Sequence, residues 1–391
     1  MNKDYDKIYA MSMNQDNPFA FGVFVSGEQF YDRVEIRADL LRYIRNRQNV
    51  LLYGPRRYGK SSLASDVAGE LRREGRVCIW FDMMKVNSLD HFVREYARAA
   101  YAVASRTERN LQKVLGFFRA LRPKVSIGAD GEATFGIDLT PGGVCPETVE
   151  EVLSLPERLA GDGRIVVFFD EFQEIGRLSS DLALERIFRS VIQRQAKVDY
   201  VFLGSKTHTL KRMFTDAARP FYESAAVLCM GKPPEDESVA FLVSRFASAG
   251  VECPEPVAQS IMVAANNVPY YLQALGAEAF DRVKVQARRT IRPEDVAAAV
   301  EKLRRQKRDV FDTRLETLTA GQRTLVSALA HEETDEFSED YRQRHGLGVY
   351  TTAVSASKTL LDRGILECER GVYRVADPFF AAYLRESVAA L

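Results

Sequence analysis

Residues 54–61 read Gly-Pro-Arg-Arg-Tyr-Gly-Lys-Ser, a full match to the pattern G-x-x-x-x-G-K-[ST]. This spacing suits a loop whose backbone N–H groups surround phosphate oxygens. Lys60 is predicted to reach the β- and γ-phosphates of a nucleoside triphosphate, and the Ser61 hydroxyl to bind Mg²⁺. We call residues 54–62 the phosphate loop. Its other predicted nucleotide-binding residues are Gly54, Pro55, Arg56, Arg57, Tyr58, Gly59 and Ser62.

Two acids follow the apolar run at residues 164–169. Asp170 is predicted to hold Mg²⁺, directly or through water. Glu171 is predicted to polarise the attacking water as a general base, which favours hydrolysis over binding alone. The alternative for Glu171 is a cap on the next helix. Ser205, after the apolar run at residues 200–203, is a second catalytic candidate beside Asp170, and its alternative is a plain Gly-Ser turn.

Apolar runs alternate with helical patterns through the first two-thirds of the chain. The predicted strands are residues 49–53, 77–81, 164–169 and 200–203, and the predicted helices are residues 62–73, 89–105 and 181–195. Such alternation predicts a parallel sheet with right-handed crossovers, whose ligands sit at the carboxyl ends of the strands. Residues 124–139 interrupt this pattern with a β-hairpin that turns at Asp130-Gly131. This insertion serves either a partner or the structure itself.

Charge and composition limit the classes of protein. Basic and acidic residues number 54 each, so the whole chain favours neither nucleic acid nor membrane. With 391 residues, 46% of them hydrophobic, we expect two or three globular domains. Five scattered cysteines predict no disulfide framework or zinc site and favour the cytoplasm. We expect no secretory signal in the polar residues 1–17, and no membrane span.

The last third of the chain changes character after Pro233-Pro234. Helical patterns without strands follow as far as residue 308, and residues 302–308 carry a basic run. This run is either a solvated helix face or a surface near phosphates. Three helices, at residues 318–330, 337–344 and 352–362, then precede a hairpin at residues 365–375 and a final helix. That order predicts a winged helix-turn-helix.

The charge of the predicted winged helix weighs against DNA as its partner. From residue 315 to the end there are eight basic and twelve acidic residues. Phosphate neutralisation supplies most non-specific DNA affinity, and this segment offers little of it. A cluster on one face stays open as an alternative, formed by Arg342, Arg344, Lys358, Arg363, Arg370 and Arg374.

Residues 17–62 resemble the archaeal-ATPase-type P-loop ATPases of the AAA+/STAND division, which are related to archaeal origin-recognition ATPases. Phe-Val and Tyr-Asp-Arg segments precede the phosphate loop at residues 24–25 and 31–33. Phe-Asp-Glu-Phe-Gln-Glu-Ile follows at residues 169–175, and Asn-Val-Pro-Tyr-Tyr at residues 267–271. The resemblance extends over nearly the whole chain.

The resemblance implies an ATP-binding and ATP-hydrolysing switch protein that uses Mg²⁺. It implies that Phe24, Val25 and Arg33 frame the adenine, and that Pro269 contacts the nucleotide from a helical lid. Asn267 departs from the family pattern, in which glycine is usual at this position of the lid.

A second departure concerns the arginine that often follows an aromatic pair in relatives. This chain has Glu223 at that position. Arg219 is therefore the nearest candidate for a γ-phosphate sensor or an arginine finger. Its alternative is a surface arginine.

The predicted fold class is α/β: a P-loop AAA+ core with a parallel sheet at residues 1–231, a helical lid at 232–314 and a winged helix at 315–391. The hairpin insertion covers about residues 123–146. The predicted function is an ATPase switch that is coupled to a protein partner through the winged helix. The alternative is a non-catalytic, nucleotide-gated regulator that binds DNA. The oligomeric state stays open.

Overall fold

The computed structural model describes residues 17–22, 33–104, 121–127, 133–139, 144–179, 181–205, 207–369 and 371–389. The chain divides into two compact units. The first unit comprises Met1–Asp32, Pro55–Gly59 and Gly231–Leu391, and the second comprises Arg33–Gly54 and Lys60–Met230. The middle of the phosphate loop therefore belongs to the first unit, while its two ends belong to the second. The three-domain boundaries stay a prediction.

The second unit is built on a parallel sheet with the strand order β2-β5-β6-β1-β7, and a separate antiparallel pair, β3-β4. Its strands are β1 (Val50–Tyr53), β2 (Val77–Asp82), β3 (Leu121–Ile127), β4 (Ala133–Leu139), β5 (Ile165–Asp170), β6 (Val198–Gly204) and β7 (Ala226–Cys229). Its helices are α1 (Val34–Arg45), α2 (Lys60–Arg73), α3 (Leu89–Ala104), α4 (Pro146–Leu153), α5 (Leu155–Leu159), α6 (Ala183–Arg194) and α7 (Thr207–Thr215). Short 3₁₀ helices lie at Met83–Lys85 and Phe172–Arg177.

The central strands are apolar runs because helices cover both faces of a parallel sheet. β1 and β6 are buried along their whole length, and β5 up to its last residue. Phe169 on β5 and Phe202 on β6 pack within an aromatic cluster that also contains Phe172 and Phe188. The polar residues that end these strands thus project from a rigid base.

The sheet has one strand more than the sequence predicts. Among the described strands β7 pairs with β1 alone, and its burial alternates along its four residues. A short edge strand of this kind lacks the continuous apolar run by which the other four are recognised. The predicted hairpin insertion is present as β3 and β4, and its Asp130-Gly131 turn lies outside the described residues.

The described residues of the first unit form helices and one hairpin. Its helices are α8 (Glu235–Ser248), α9 (Glu255–Ala264), α10 (Pro269–Val285), α11 (Pro293–Gln306), α12 (Arg308–Glu316), α13 (Ala320–His331), α14 (Glu339–Arg344), α15 (Tyr350–Asp362) and α16 (Pro378–Ala389). Its strands are β8 (Leu366–Glu369) and β9 (Val372–Val375). One hydrophobic core runs from α8 to α16.

The predicted winged-helix pattern corresponds to α13, α14, α15 and the β8–β9 hairpin, followed by α16. Thr319 and Gln322 form a capping box at the start of α13. The basic run differs from its prediction, because the helix breaks at Lys307 between α11 and α12. Two of its members pair with acids here: Lys302 with Glu278, and Arg304 with Glu386. Among the residues that the structure describes, no helix combines the length and the hydropathy that a membrane span requires.

Candidate functional site

Two glycines shape the phosphate loop. A Cβ atom on Gly54 would collide with the carbonyl oxygen of Met230, so only glycine fits where β1 ends beside β7. Gly59 has a φ of 87°, which L side chains rarely adopt. Lys60 then begins α2, and its side chain is largely buried, as is that of Ser62.

Ser61 and Asp170 meet at the carboxyl end of the sheet. The Ser61 hydroxyl donates a 3.0 Å hydrogen bond to Oδ2 of Asp170. Burial raises the pKa of Asp170 above its ordinary value, partly offset by the Ser61 hydrogen bond. A hydroxyl and a carboxylate side by side are the hard oxygen ligands that Mg²⁺ takes together with phosphate oxygens. These residues therefore fit the predicted metal.

Glu171 follows β5 in a left-handed backbone conformation, with a φ of 49°. Its side chain makes no capping hydrogen bond to the 3₁₀ helix that follows, so the helix-cap alternative is wrong. Instead Oε2 of Glu171 accepts from the Ser205 hydroxyl at 2.8 Å and from the Ser205 backbone N–H at 3.2 Å. A strained non-glycine conformation of this kind is typical of functional sites.

Gln173 is a site residue that the sequence analysis missed. Its side chain is 5% exposed, and Nε2 donates to Oε2 of Glu171 at 2.5 Å. The sequence offered one signal for Gln173: it is an uncharged polar residue two positions after Glu171, between Phe172 and Glu174. Because the resemblance assigned it no role, only the fold shows its proximity to Glu171.

The other candidates of the second unit differ in their surroundings. Ser205 ends β6 beside Glu171 and is buried. Arg219 forms a two-point ion pair with the buried carboxylate of Glu185, with a 3.2 Å bond from Nε. This pairing favours a structural role for Arg219 over the predicted phosphate sensor. Arg33 lies just before α1, with a φ of 81°. The adenine-pocket candidates Phe24 and Val25 lie outside the described residues.

Arg57, in the middle of the phosphate loop, is bound by residues of α10 and by Asp377, just before α16. Its Nη1 donates to Oδ2 of Asp377 at 3.1 Å and to the Tyr271 hydroxyl. Its guanidinium also lies 5.1 Å from the ring centroids of Tyr270 and Tyr271. The φ of Arg57 is 70°, so these contacts hold the loop in a conformation that a non-glycine residue rarely adopts.

Tyr58 is 2% exposed and donates to Oε2 of Glu367, on β8, at 3.1 Å. Burial raises the pKa of Glu367. The loop backbone is bound as well, because the Tyr270 N–H donates to the carbonyl of Arg57 at 3.3 Å. Pro269 precedes Tyr270 at the start of α10, so this candidate is the neighbour of a residue that bonds to Arg57. Its contact with the nucleotide stays a prediction.

Asn267 at the family's usual glycine position has a backbone explanation. Its φ is 51°, in the left-handed region that asparagine tolerates better than most residues. Its side chain accepts from the Ser238 hydroxyl at 2.7 Å and donates to the Pro233 carbonyl at 2.8 Å. Asparagine here fulfils the conformational role of glycine and also anchors α8.

Comparisons with known proteins agree with this architecture. The family model described as "Probable winged helix domain" matches residues 309–386. A Walker-type ATPase of Pyrococcus abyssi is similar in structure, with a TM-score of 0.63 and 20% identity, over 94% of this chain and 99% of that chain. The Aeropyrum pernix ORC2 protein, in its ADPNP–ADP complexes, has a TM-score of 0.52 and 15% identity, over 92% and 96%. No curated protein matches the sequence.

The predicted fold is confirmed: the chain has a P-loop ATPase fold with a parallel sheet and a C-terminal winged-helix domain. Its likeness to archaeal Walker-type and origin-recognition ATPases extends over nearly the whole chain. These likenesses establish the fold. The STAND subdivision stays a prediction.

Proposed function

We propose that this protein is an ATPase switch that binds ATP with Mg²⁺, hydrolyses it to ADP and phosphate, and passes its nucleotide state to a protein partner through the winged helix. One observation carries the proposal: Arg57 and Tyr58, inside the phosphate loop, bond to α10, β8 and the start of α16. A nucleotide that reshapes the loop must therefore break or reinforce contacts with the winged helix.

The second unit supplies the hydrolytic groups. Lys60 binds the β- and γ-phosphates, and Ser61 with Asp170 holds Mg²⁺, which offsets the negative charge of the transferring phosphoryl group. Glu171 orients the attacking water and takes its proton. The Ser61–Asp170 hydrogen bond and the position of Glu171 at the end of β5 support these roles.

Covalent continuity supports the coupling step. Tyr58 and Lys60 are separated only by Gly59, so the residue that binds Glu367 and the residue proposed to bind phosphate share one short segment. Phosphate binding requires the loop's N–H groups to converge on the ligand. A change in backbone conformation at Gly59 alters what Tyr58 can contact.

Asp377 is the charged part of the connection. Its Oδ1 accepts from the backbone N–H groups of Phe379 and Phe380 at the start of α16, while its Oδ2 faces Arg57 and Lys307. Burial alone would raise the pKa of Asp377, but the positive charges of Lys307 and Arg57 lower it below its ordinary value. One carboxylate thus ties the helix end to the phosphate loop.

The paired arginines of the winged helix favour a protein partner over DNA. Arg344 binds Glu332 at 2.7 Å and Asp340 at 3.1 Å, while Arg374 lies 3.6 Å from Glu369. Arginines already paired with acids offer little positive potential to phosphates. Two members of the predicted cluster, Arg344 and Arg374, are therefore neutralised. Arg342 and Arg363 bond to uncharged oxygens instead, and Arg370 lies outside the described residues.

Helix α15, which would read the major groove in a DNA-binding winged helix, presents mainly uncharged residues. Tyr350 and Val354 are exposed on this helix, and Val349 is exposed just before it. Lys358 is its only basic residue. Aromatic and aliphatic side chains of this kind suit a protein surface better than a polyanion.

Hydrolysis and hydrogen exchange test the proposal together in the full chain. Glu171→Gln is loaded with ATP or ADP, and amide exchange in β8–β9 is compared with the nucleotide-free protein. We expect nucleotide to change exchange in the hairpin, and Lys60→Ala to abolish the change. Helix α9, which has no assigned contact with the loop, serves as the internal control.

Two results would contradict the proposal in different ways. A wild-type protein whose hydrolysis rate does not exceed that of Lys60→Ala removes the enzymatic function. Hydrolysis without any nucleotide-dependent exchange at β8–β9 removes the coupling and leaves a plain ATPase. Tight duplex DNA binding by the full chain would instead support the DNA-binding alternative.

A further inference from the structure

One oxygen of Glu171 accepts every hydrogen bond that the described residues donate to this side chain. Oε2 accepts from the backbone N–H and the hydroxyl of Ser205, at 3.2 and 2.8 Å, and from Nε2 of Gln173, at 2.5 Å. Within the described part of the chain, no residue donates to Oε1 of Glu171. The carboxylate is therefore held by one oxygen and presents the other.

The two donors come from different rigid elements. Ser205 directly follows β6, a central strand that is buried along its length, and Gln173 lies in the 3₁₀ helix after Glu171. Gln173 is 5% exposed, so little of its side-chain amide is in contact with solvent. Side chains on packed helices and strands hold their orientation more precisely than side chains on loops.

Gly204 and the orientation of the Gln173 amide show that this arrangement is built into the fold. A Cβ atom on Gly204 would collide with Oε1 of Gln173, so a glycine is required for the amide to lie against the end of β6. The Oε1 atom of Gln173 is buried and has no hydrogen-bond partner among the residues that the structure describes. The opposite amide orientation would set this oxygen against the Glu171 carboxylate, which repels it. The amide is thus committed to donating to Glu171.

We infer that Gln173 is a positioning residue for ATP hydrolysis, and that with Ser205 it clamps Oε2 of Glu171 so that Oε1 faces the attacking water. This inference rests on the proposed function. As the water oxygen bonds to the γ-phosphorus, one water proton passes to Oε1 of Glu171. The bond from the γ-phosphorus to the bridging oxygen breaks, and its electron pair leaves with ADP.

The clamp is needed because Glu171 reaches the site from a left-handed backbone position on a side chain with three rotatable bonds. Without its donors the carboxylate samples rotamers that point away from the water. Misplacement of a catalytic group by about 1 Å costs about 10²-fold in rate. The loss should appear in the chemical step and not in nucleotide affinity, because Gln173 acts through Glu171.

The first experiment is a matched pair of substitutions in the full chain. Gln173→Met keeps the length of the side chain and removes the donor, and we expect kcat to fall by about 10- to 100-fold with the Kd for ATP unchanged. Gln195→Met is the control. Gln195 is also partly buried, donates to the Leu153 carbonyl at 2.9 Å and accepts from Tyr200, but it precedes β6 at the opposite end of that strand. We expect its kcat to match the wild type.

A double-mutant cycle distinguishes positioning from a general loss of structure. In the Glu171→Gln background, Gln173→Met should reduce kcat no further, because the residue through which it acts has gone. An additional 10-fold loss in that background would overturn the inference. So would a Gln173→Met variant with wild-type kcat in a protein that hydrolyses ATP. A wild type without hydrolysis would overturn the proposed function, and the clamp with it.

Discussion

The carboxyl edge of the sheet and the contacts of Arg57 and Tyr58 are assembled in different ways. At the sheet edge, Glu171 meets Ser205 across 34 residues and Gln173 across two. In the first unit, Arg57 meets Asp377 across 320 residues, and Tyr58 meets Glu367 across 309. The chemical groups are placed by neighbouring strand ends, whereas the contacts proposed to carry the switch depend on the last helix and hairpin of the chain.

The two regions should also differ in how strongly the stability of the fold depends on their side chains. Strands of a parallel sheet bring their carboxyl ends to one edge whatever side chains they end in, so the sheet positions catalytic groups as part of its own stability. A buried carboxylate such as Asp377 is stabilised only while its cationic partners are present. We therefore expect substitutions at the sheet edge to change rate, and substitutions around Asp377 to change stability and coupling.

The largest expected effect separates binding from chemistry within the phosphate site. Glu171→Gln should lower kcat by about 10²–10⁴-fold and keep ATP affinity, because the residue acts mainly in the transition state. Lys60→Ala should weaken ATP binding itself, because lysine contacts the phosphates of the ground state. Equilibrium binding and steady-state hydrolysis measure the two effects. An equal loss of affinity in both variants would refute the division of roles.

The next effect tests the charged contact of the first unit. Asp377→Ala should lower the free energy of unfolding by about 3 kcal/mol, at the low end for a buried ion pair because the Arg57 side chain is 40% exposed to screening solvent. Asp377→Asn should cost about 1 kcal/mol less, because its oxygen still accepts at the start of α16. Denaturant unfolding measures both. Equal costs would show that the ion pair alone matters, because Asp377→Asn keeps the acceptor at the start of α16.

The ion pair between Asp377 and Arg57 also predicts that the free energy of unfolding depends on pH. The folded-state pKa of Asp377 is lowered, so its contribution to stability is complete above the unfolded pKa of about 3.9 and is lost as the pH falls through the folded value. The stability difference between the wild type and Asp377→Asn should be constant from about pH 5 to pH 8 and shrink below about pH 4. A difference that grew on acidification would contradict the assignment.

A smaller effect is expected at the hydrogen bond from Tyr58 to Glu367. Tyr58→Phe keeps the buried ring and removes the donor to Glu367, which should cost about 1 kcal/mol of stability. The hydrogen-exchange response of β8–β9 to nucleotide should weaken in the same variant. Tyr43→Phe, at a half-buried tyrosine on α1, is the control for removal of a hydroxyl. An unaltered response would assign the coupling to Arg57 alone.

The smallest expected effect is on DNA. Because residues 315–391 are net acidic and Arg344 and Arg374 are paired with acids, the full chain should bind duplex DNA weakly at about 50 mM salt, with little further loss at about 200 mM. Fluorescence anisotropy of a labelled duplex measures this. Micromolar binding that falls steeply over that interval would show phosphate contacts. That result would indicate that the partner of the winged helix is a nucleic acid and not a protein.

Sequence patterns predicted the elements that carry their own signal. The phosphate loop is a contiguous motif, β5 is an apolar run that ends in acids, and the winged helix has a regular order of helices and turns. β7 escaped because its four residues lie at an edge and alternate in burial. The break at Lys307 escaped because helical periodicity continues through it, and only the structure shows the side chain 3.6 Å from Asp377.

The amino-acid sequence by itself determined the class of fold and the phosphate-binding chemistry. Glycine spacing, strand hydrophobicity and the acids at the end of a strand act locally, so each can be recognised from a short stretch of sequence. Only the tertiary structure decided how these groups are held. Packing turned Glu171 towards Ser205 and Gln173, paired Arg219 with Glu185, and bound Arg57 and Tyr58 to residues near the chain's end. Such contacts join residues far apart in sequence, and their partners are fixed by buried geometry that leaves no periodic trace.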